Sequence, residues 1–250
     1  MKRALVALGA ALAAGAAALV WIAAGDGGAH DEAPRLRILA AASLTEALPR
    51  IDTAPAYEFG GSNRLAFQLR QGAAGDVFAA ASPELTQALH REGIVEQPVA
   101  FASNRLVLVV PRSNPAGIRS VLDLRRSGVK LVVGTERVPV GAYTRTVLRR
   151  LGLAGVLRDA VSREPDVKSI VGKVALAQAD AGFVYATDVR PVADRLTAIA
   201  IPARAQPVVR YEVAVVSRSR HRDEARAWVR RLTADARARR LLREAGFGLP

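Results

Sequence analysis

Two short segments constrain this chain most, because each places a serine directly after a strand-like run and at the start of a helical pattern. The run at 36–41 ends in alanines just before Ser43, and the run at 56–59 ends at two glycines just before Ser62. The first turn of a helix offers unpaired N–H groups and the positive end of the helix dipole, which together favour a bound anion. Two such ends facing each other predict a receptor for a small anion.

Composition narrows the class of protein. Half of the residues are apolar and 24% are charged, which is typical of a globular chain and not of a disordered one. There is no cysteine, which excludes a disulfide framework, a thiolate metal site and a cysteine nucleophile. The three histidines, His30, His90 and His221, lie far apart in sequence. We therefore expect no bound metal cation and no cofactor.

The net charge of +13 raises the question of a nucleic-acid partner. The arginines, however, are spread along the chain, and aromatic residues make up only 5% of it. This pattern predicts no nucleic-acid binding. A positive field of this kind would instead attract a small anion towards a cleft.

The N-terminus indicates export from the cytoplasm. Lys2 and Arg3 precede an uncharged stretch rich in alanine and leucine that continues to residue 24. A basic start followed by an apolar run is typical of a secretory signal peptide. The run also reaches the roughly 20 residues that a membrane span needs. We predict a signal peptide or membrane anchor at 1–24, a glycine-rich linker at 25–34, and a mature domain that is periplasmic or otherwise extracytoplasmic.

After the linker, strand-like and helix-like patterns alternate to the end of the chain. Short apolar strands separated by helices predict an α/β fold with parallel sheets covered on both faces. The predicted strands are 36–41, 56–59, 76–79, 105–110, 130–133, 182–185, 196–201 and 208–216. The predicted helices are 44–51, 62–71, 83–92, 120–126, 141–150, 166–179, 221–232 and 234–245.

A series of motifs then occurs in a specific order. The motifs are Ala-Ala-Ser-Leu-Thr at 41–45, Gly-Ser at 61–62, Ala-Gly-Asp-Val-Phe at 74–78, Asn-Arg-Leu-Val-Leu-Val-Val-Pro at 104–111, Val-Pro-Val-Gly-Ala-Tyr at 138–143, Asp-Val-Lys at 166–168, Gly-Phe-Val-Tyr at 182–185, Tyr-Glu-Val-Ala-Val-Val at 211–216 and Ala-Gly-Phe at 245–247. Over residues 36–250 the series resembles the substrate-binding proteins of molybdate ABC transporters, in the type II periplasmic binding protein superfamily.

The resemblance implies a two-lobed fold in which each lobe is a mostly parallel sheet flanked by helices and the ligand binds in the cleft between the lobes. It places the first lobe at 35–109 and 212–250 and the second at 110–211. The hinge strands would lie near Val109 and Tyr211. The implied protein is a monomer and not an enzyme, and it delivers molybdate or tungstate to the membrane permease of an ABC transporter.

The resemblance also implies a set of ligand contacts. Ser43 and Ser62 would bind the oxyanion from the first lobe through their hydroxyl and N–H groups. Val140 and Val167 would contribute backbone N–H groups from the second lobe, and Tyr185 its hydroxyl. Such a set suits molybdate, tungstate or sulfate, which are fully deprotonated at neutral pH and need only donors. Phosphate keeps a proton and favours a carboxylate acceptor. Sulfate or another oxyanion therefore remains an alternative ligand.

Each of these residues also has a purely structural interpretation. Ser43 and Glu46 match a helix capping box, Ser-x-x-Glu. The glycines before Ser62 are consistent with a plain turn and helix cap. Tyr185 ends a buried strand, where a tyrosine commonly serves only the core.

Two other functional classes are weakly supported. An exported hydrolase would need a nucleophile motif such as G-x-S-x-G and a histidine partner, and neither accompanies Ser43 or Ser62. Ferric-ion binding on the same fold would favour adjacent tyrosines, but the four tyrosines are isolated. One departure from the family concerns the first lobe, since Ser62 follows Ser43 by only 19 positions and Pro49 interrupts the first predicted helix. We therefore expect a short first helix and a trimmed first lobe.

Overall fold

The computed structural model describes residues 36–250, so the signal peptide or anchor expected at 1–24 and the linker at 25–34 lie outside the described residues. The strands are β1 Arg37–Ala41, β2 Ala56–Gly60, β3 Val77–Ala80, β4 Val99–Asn104, β5 Leu106–Pro111, β6 Leu131–Gly134, β7 Ser162–Glu164, β8 Ala181–Tyr185, β9 Leu196–Ala200 and β10 Val209–Val215. The helices are α1 Leu48–Ile51, α2 Ser62–Arg70, α3 Pro83–Arg91, α4 Pro139–Arg150, α5 Val167–Ala175, α6 Ala186–Val189, α7 Arg222–Ala234 and α8 Ala236–Glu244. Short 3-10 turns lie at Ala42–Leu44, Val121–Arg125, Ala154–Leu157, Arg190–Val192 and Ala203–Ala205. Within the described range, none of the helices combines the length and apolar character needed to cross a membrane.

The strands form two five-stranded sheets, which confirms the α/β class. The first sheet has the order β2-β1-β3-β10-β4 and the second the order β7-β6-β8-β5-β9. Both sheets are mixed: β10 is antiparallel to its neighbours in the first, β5 is antiparallel to its neighbours in the second, and the other strands of each sheet share one direction. We call the first sheet with α1–α3, α7 and α8 the first lobe, and the second sheet with α4–α6 the second lobe.

The two antiparallel strands, β5 and β10, are the first strands after the chain crosses from one lobe to the other. Strand β5 pairs only within the second sheet and β10 only within the first. The chain therefore changes sheet at Arg105 and again between Ala200 and Val209, earlier than the boundaries expected at 109/110 and 211/212. Strand β5 is a continuous apolar run, whereas β10 also carries Arg210 and Glu212. The division into lobes that move against each other stays a prediction, with its hinge at these two crossings.

Side chains tie the two crossings together. The Gln206 amide donates to the Leu106 carbonyl over 2.7 Å and accepts the Leu106 N–H over 3.3 Å. Beside them, the Asn104 amide donates to the Thr187 hydroxyl of the second lobe over 2.9 Å. Crossings held in this way leave few residues to absorb a rotation, as expected of a hinge.

The first sheet is buried on both faces, which explains its apolar strands. Leu39 and Phe78 pack with Leu65 of α2 and Leu89 of α3 on one face. Ile38 belongs to the larger cluster that continues on the other face into the second lobe. A sheet covered by helices on both sides needs apolar residues at successive positions.

The beginning of the first lobe differs from the expectation. Instead of one helix at 44–51, a 3-10 turn at Ala42–Leu44 precedes the separate four-residue helix α1. Pro49 lies in the first turn of α1, where its missing N–H removes no helix hydrogen bond. Strands β4 and β7 were not predicted, since β4 lacks a strict alternation and β7 has only three residues, all of them polar.

Candidate functional site

The ends of several strands meet at one place between the lobes. In the first lobe, β1 is followed by the 3-10 turn that holds Ser43, and β2 is followed by α2. In the second lobe, α4 follows β6, α5 follows β7, and β8 ends at Tyr185. Parallel strands end at the same edge of a sheet, and ligands of open α/β sheets bind at this edge. The topology therefore directs each lobe's carboxyl edge, with its helix starts, towards a common cleft.

A small cavity lies at this meeting point. The space open to the centre of a water-sized sphere is about 20 Å³. A sphere of that volume, widened by a water radius of about 1.4 Å, has a radius of about 3 Å, enough for one small ion and too little for a sugar or nucleotide. The residues that line the cavity are Ala41, Ala42, Ser43, Gly60, Gly61, Ser62, Ala81, Val138, Pro139, Val140, Asp166, Val167 and Tyr185.

The five residues expected to contact the ligand all line this cavity. Ser43 and Ser62 belong to the first lobe, and Val140, Val167 and Tyr185 belong to the second. All five are buried. Residues from distant parts of the chain are thus brought together, and each lobe supplies part of the wall. Their role as ligand contacts stays a prediction.

Three helices begin at the cavity wall. Ser62 is the first residue of α2, Val167 is the first residue of α5, and Val140 follows Pro139 at the start of α4. The first N–H groups of a helix have no acceptor within the helix, and the dipole makes this end positive. Because Pro139 has no N–H, Val140 provides the first donor of α4. The walls therefore present backbone donors from both lobes.

The Ser62 hydroxyl is oriented by a neighbouring strand end. Its Oγ accepts the Ala81 N–H over 3.2 Å. With the oxygen accepting there, the hydroxyl proton remains available for an acceptor in the cavity. Gly61, and not Ser62, is the N-cap of α2. The cap expected in this segment thus falls on Gly61, and Ser62 stands one position inside the helix.

The Ser43 hydroxyl is oriented by a chain of hydrogen bonds. Its Oγ lies 2.8 Å from the Tyr211 hydroxyl, and the Asn104 amide donates to that same hydroxyl over 3.4 Å. If Tyr211 accepts from Asn104 and donates to Ser43, the Ser43 proton is left for the cavity, and such chains polarise in one direction. The expected capping box with Glu46 is wrong, since Ser43 lies inside the 3-10 turn and makes no cap hydrogen bond.

Tyr185 carries a buried hydroxyl that has no hydrogen-bond partner in the part of the chain that the structure describes. The residue is 2% exposed, and no hydrogen bond to its hydroxyl exists among residues 36–250. Burial raises the pKa of Tyr185 well above its ordinary value, so the group stays protonated and can donate. Leaving a buried polar group unsatisfied costs about 1–3 kcal/mol. A bound acceptor in the cavity would remove this cost.

Positive side chains are absent from the cavity wall formed by the described residues. The one ionisable acid on it, Asp166, is the N-cap of α5, and its Oδ1 accepts the Ser169 N–H over 2.9 Å and the Ser169 hydroxyl over 3.1 Å. No group of residues within 36–250 is arranged to hold a metal ion. Apart from the Asp166 carboxylate, the cavity therefore offers uncharged N–H and O–H donors to its contents.

Ala81, Asn104 and Tyr211 are among the residues that the sequence analysis did not predict as part of the site. Ala81 follows β3, the third parallel strand of the first lobe, and could have been inferred from the shared strand edge. Tyr211 is hydrogen-bonded to Ser43, and Asn104 is hydrogen-bonded to Tyr211. Nothing in the local sequence connects these two residues with Ser43.

Replacing Tyr211 by Phe tests the hydrogen-bond chain behind Ser43. We expect oxyanion affinity to fall by about 1 kcal/mol, roughly fivefold, because the Ser43 hydroxyl loses the partner that orients it. Calorimetric titration measures the change, and circular dichroism controls for an intact fold. Affinity equal to that of the unchanged protein would show that Tyr211 does not orient the site.

Comparison with known proteins gives a consistent result. The family model described as bacterial extracellular solute-binding protein matches residues 36–248. A relative from Mycobacterium tuberculosis (strain ATCC 25618 / H37Rv), named molybdate-binding protein ModA, is 38% identical over 195 residues, which cover 78% of this chain and 73% of the relative.

Two solved structures show the same fold. The periplasmic molybdate-binding protein of Azotobacter vinelandii superposes with a TM-score of 0.77 at 20% identity, covering 86% of this chain and 100% of that one. The sulfate-binding protein SubI of Mycobacterium tuberculosis H37Rv superposes with a TM-score of 0.72 at 17% identity, covering 85% of this chain and 86% of that one.

Proposed function

Since this chain belongs to the bacterial extracellular solute-binding proteins, we propose that it captures a tetrahedral oxyanion, molybdate or tungstate, for import through an ABC transporter. The observation that carries the proposal is the small cavity between the lobes, whose available groups are uncharged donors from both sides. The molybdate-binding name of the mycobacterial relative, at 38% identity, supports the choice of ligand.

The chemistry of the wall supports selection by protonation state. A doubly charged tetrahedral anion without protons has only acceptors, and the available groups on Ser43, Ser62 and Tyr185 and at the three helix starts are donors. Each hydrogen bond to a charged group contributes about 1.5–3 kcal/mol. Five to seven of them, less the cost of association, suffice for a dissociation constant of about 1 μM or lower. Phosphate would bring a proton that needs an acceptor, and the one carboxylate of the wall, Asp166, already accepts two hydrogen bonds through Oδ1 as the cap of α5.

Capture would proceed by closure of the lobes. The ligand contacts come from both lobes, so a bound anion stabilises the closed arrangement more than an open one. The crossings at Arg105 and before Val209 provide the hinge. The closed monomer would then present its bound anion to the membrane permease. The chain's membership of an extracellular solute-binding family supports action outside the cytoplasm.

Two other functions, an exported hydrolase and a sulfate receptor, can be compared with the proposed one. Solute-binding proteins are not enzymes, and the exported-hydrolase alternative is not supported. Among the described residues, His90 contacts the Val95 carbonyl and His221 contacts Glu224. Neither histidine lines the cavity. Sulfate remains the nearer rival, because it has the same charge and shape and its receptor in Mycobacterium tuberculosis shares this fold.

Calorimetric titration with molybdate, tungstate, sulfate and phosphate tests the proposal on protein freed of bound anion by dialysis. We expect molybdate or tungstate to bind with a dissociation constant of about 1 μM or lower, sulfate at least roughly tenfold more weakly, and phosphate not measurably. Tightest binding of sulfate would reassign the ligand. Tightest binding of phosphate, or no binding of any of the four, would contradict a donor-only oxyanion site.

A further inference from the structure

One lysine lies next to the cavity and faces carboxylates from both lobes. Lys168 is the second residue of α5, directly after Val167, and its side chain is 28% exposed. Its ammonium is 3.4 Å from Oδ1 of Asp188 in the second lobe and 3.8 Å from Oε1 of Glu46 in the first. This ion-pair cluster bridges the lobes beside the cavity and is not part of its wall.

Asp188 holds the lysine from within its own lobe. The carboxyl group is fully buried, and its Oδ2 accepts the Tyr185 N–H over 3.3 Å. Burial raises the pKa of Asp188 to about 6, with the Lys168 ammonium opposing that rise and Glu46 adding to it. At neutral pH Asp188 is therefore ionised. Tyr185 and Tyr211, the other titratable groups whose pKa Asp188 affects, remain protonated because burial raises their pKa values.

Opening of the cleft would affect the two ion pairs differently. Lys168 and Asp188 belong to the same lobe, so their contact survives a rotation of the lobes. Glu46 belongs to the other lobe, in the turn three residues after Ser43, so its contact with Lys168 exists only when the lobes are together. An interaction present in one of two states shifts the equilibrium towards that state.

We propose that Lys168 is an interlobe latch: held in place by Asp188, its ammonium pairs with Glu46 when the cleft closes and slows release of the oxyanion. This inference rests on the proposed function, since it assigns a positioning residue to the same site. It makes Glu46, an exposed acid, favourable for binding an anion. A purely electrostatic account gives the opposite sign, because a negative charge near the cavity repels a dianion.

The opposite signs make Glu46→Gln the decisive variant. The latch predicts an affinity about two- to fivefold weaker, in the range of exposed ion pairs, with faster release and little change in association. In a Lys168→Met background the weakening effect of Glu46→Gln disappears, because the latch is already lost. Glu92→Gln is the matched control, since Glu92 pairs with Arg70 inside the first lobe and should leave release unchanged.

Calorimetry with molybdate and stopped-flow fluorescence measure affinity and release. Binding by Glu46→Gln that is as tight as or tighter than that of the unchanged protein would overturn the latch, as would equal weakening in the Lys168→Met background. Failure of the unchanged protein to bind any oxyanion would overturn the proposed function instead. The latch would then be tested by the distance between the two lobes in ligand-free protein.

The distance between the lobes can be measured without any ligand, and it tests the latch independently of oxyanion binding. The chain contains no cysteine, so spin labels at Phe67→Cys and Glu136→Cys report the separation across the groove that both residues line at the cleft mouth. In ligand-free protein, Glu46→Gln should shift the distance distribution towards wider separations relative to Glu92→Gln. Identical distributions for the two variants would contradict the latch.

Discussion

Replacing Tyr185 by Phe should weaken oxyanion binding by about 1.5–3 kcal/mol, roughly ten- to a hundredfold. The change removes one oxygen atom that has no partner among the described residues. It therefore deletes a donor to the ligand without breaking a hydrogen bond of the folded chain. For the same reason, the ligand-free variant should be at least as stable to heat as the unchanged protein. Calorimetric titration and thermal unfolding measure the two quantities.

Tyr57→Phe is the matched control for this prediction. The Tyr57 hydroxyl donates to the Asp52 carbonyl over 2.7 Å and does not line the cavity. Its loss should lower the free energy of unfolding by about 1 kcal/mol and leave the affinity unchanged. If Tyr185→Phe behaved like this control, losing stability and keeping affinity, the Tyr185 hydroxyl would serve the core and not the ligand.

Replacing Gly61 by Ala should hinder closure and weaken binding by about 1–3 kcal/mol, the usual cost of overpacking. A Cβ at Gly61 would overlap the Pro165 carbonyl oxygen of the second lobe and lie 2.9 Å from the Asn63 amide oxygen. The backbone of Gly61, with φ −60° and ψ 127°, suits alanine, so the substitution adds no backbone strain. The substitution is therefore unfavourable mainly in the closed arrangement, where Gly61 approaches Pro165 of the second lobe.

The closure argument predicts separate effects on binding and folding. Affinity of Gly61→Ala should fall in calorimetric titration, while the thermal stability of the ligand-free variant changes little. Gly172→Ala in α5 is the control, because a Cβ there meets no atom within 4 Å. Unchanged affinity for Gly61→Ala would mean that the approach of Gly61 to Pro165 is not needed to hold the anion.

Much of the fold was predictable because the relevant signals are local. The apolar runs that became β1, β3 and β8 are complete strands, and the small residues after them mark strand ends. The same signal identified Ser43 and Ser62 as candidate residues, since side chains after parallel strands share one edge of a sheet, whereas Tyr185 was expected in the site only from the family resemblance. Helix starts at α2 and α5 were predicted within one residue.

The remaining features depend on contacts between distant residues. Ser43 meets Tyr211 from 168 positions away, and this contact replaced the local capping box that the sequence favoured. The crossings between lobes were expected a few residues late, because their position depends on the sheet in which β5 and β10 find their partners. The pairing of Lys168 with Glu46 depends on how the two lobes meet, which no local pattern encodes.

The central claim is that donors from both lobes surround one dianion, and a crystal structure of the protein with molybdate tests it most directly. Anomalous scattering from molybdenum locates the ion without reference to the protein model. We expect a single strong peak in the cavity, with molybdate oxygens within hydrogen-bonding distance of both the Ser62 hydroxyl and the Tyr185 hydroxyl. A peak outside the cavity, or an ion held by one lobe alone, would contradict the account.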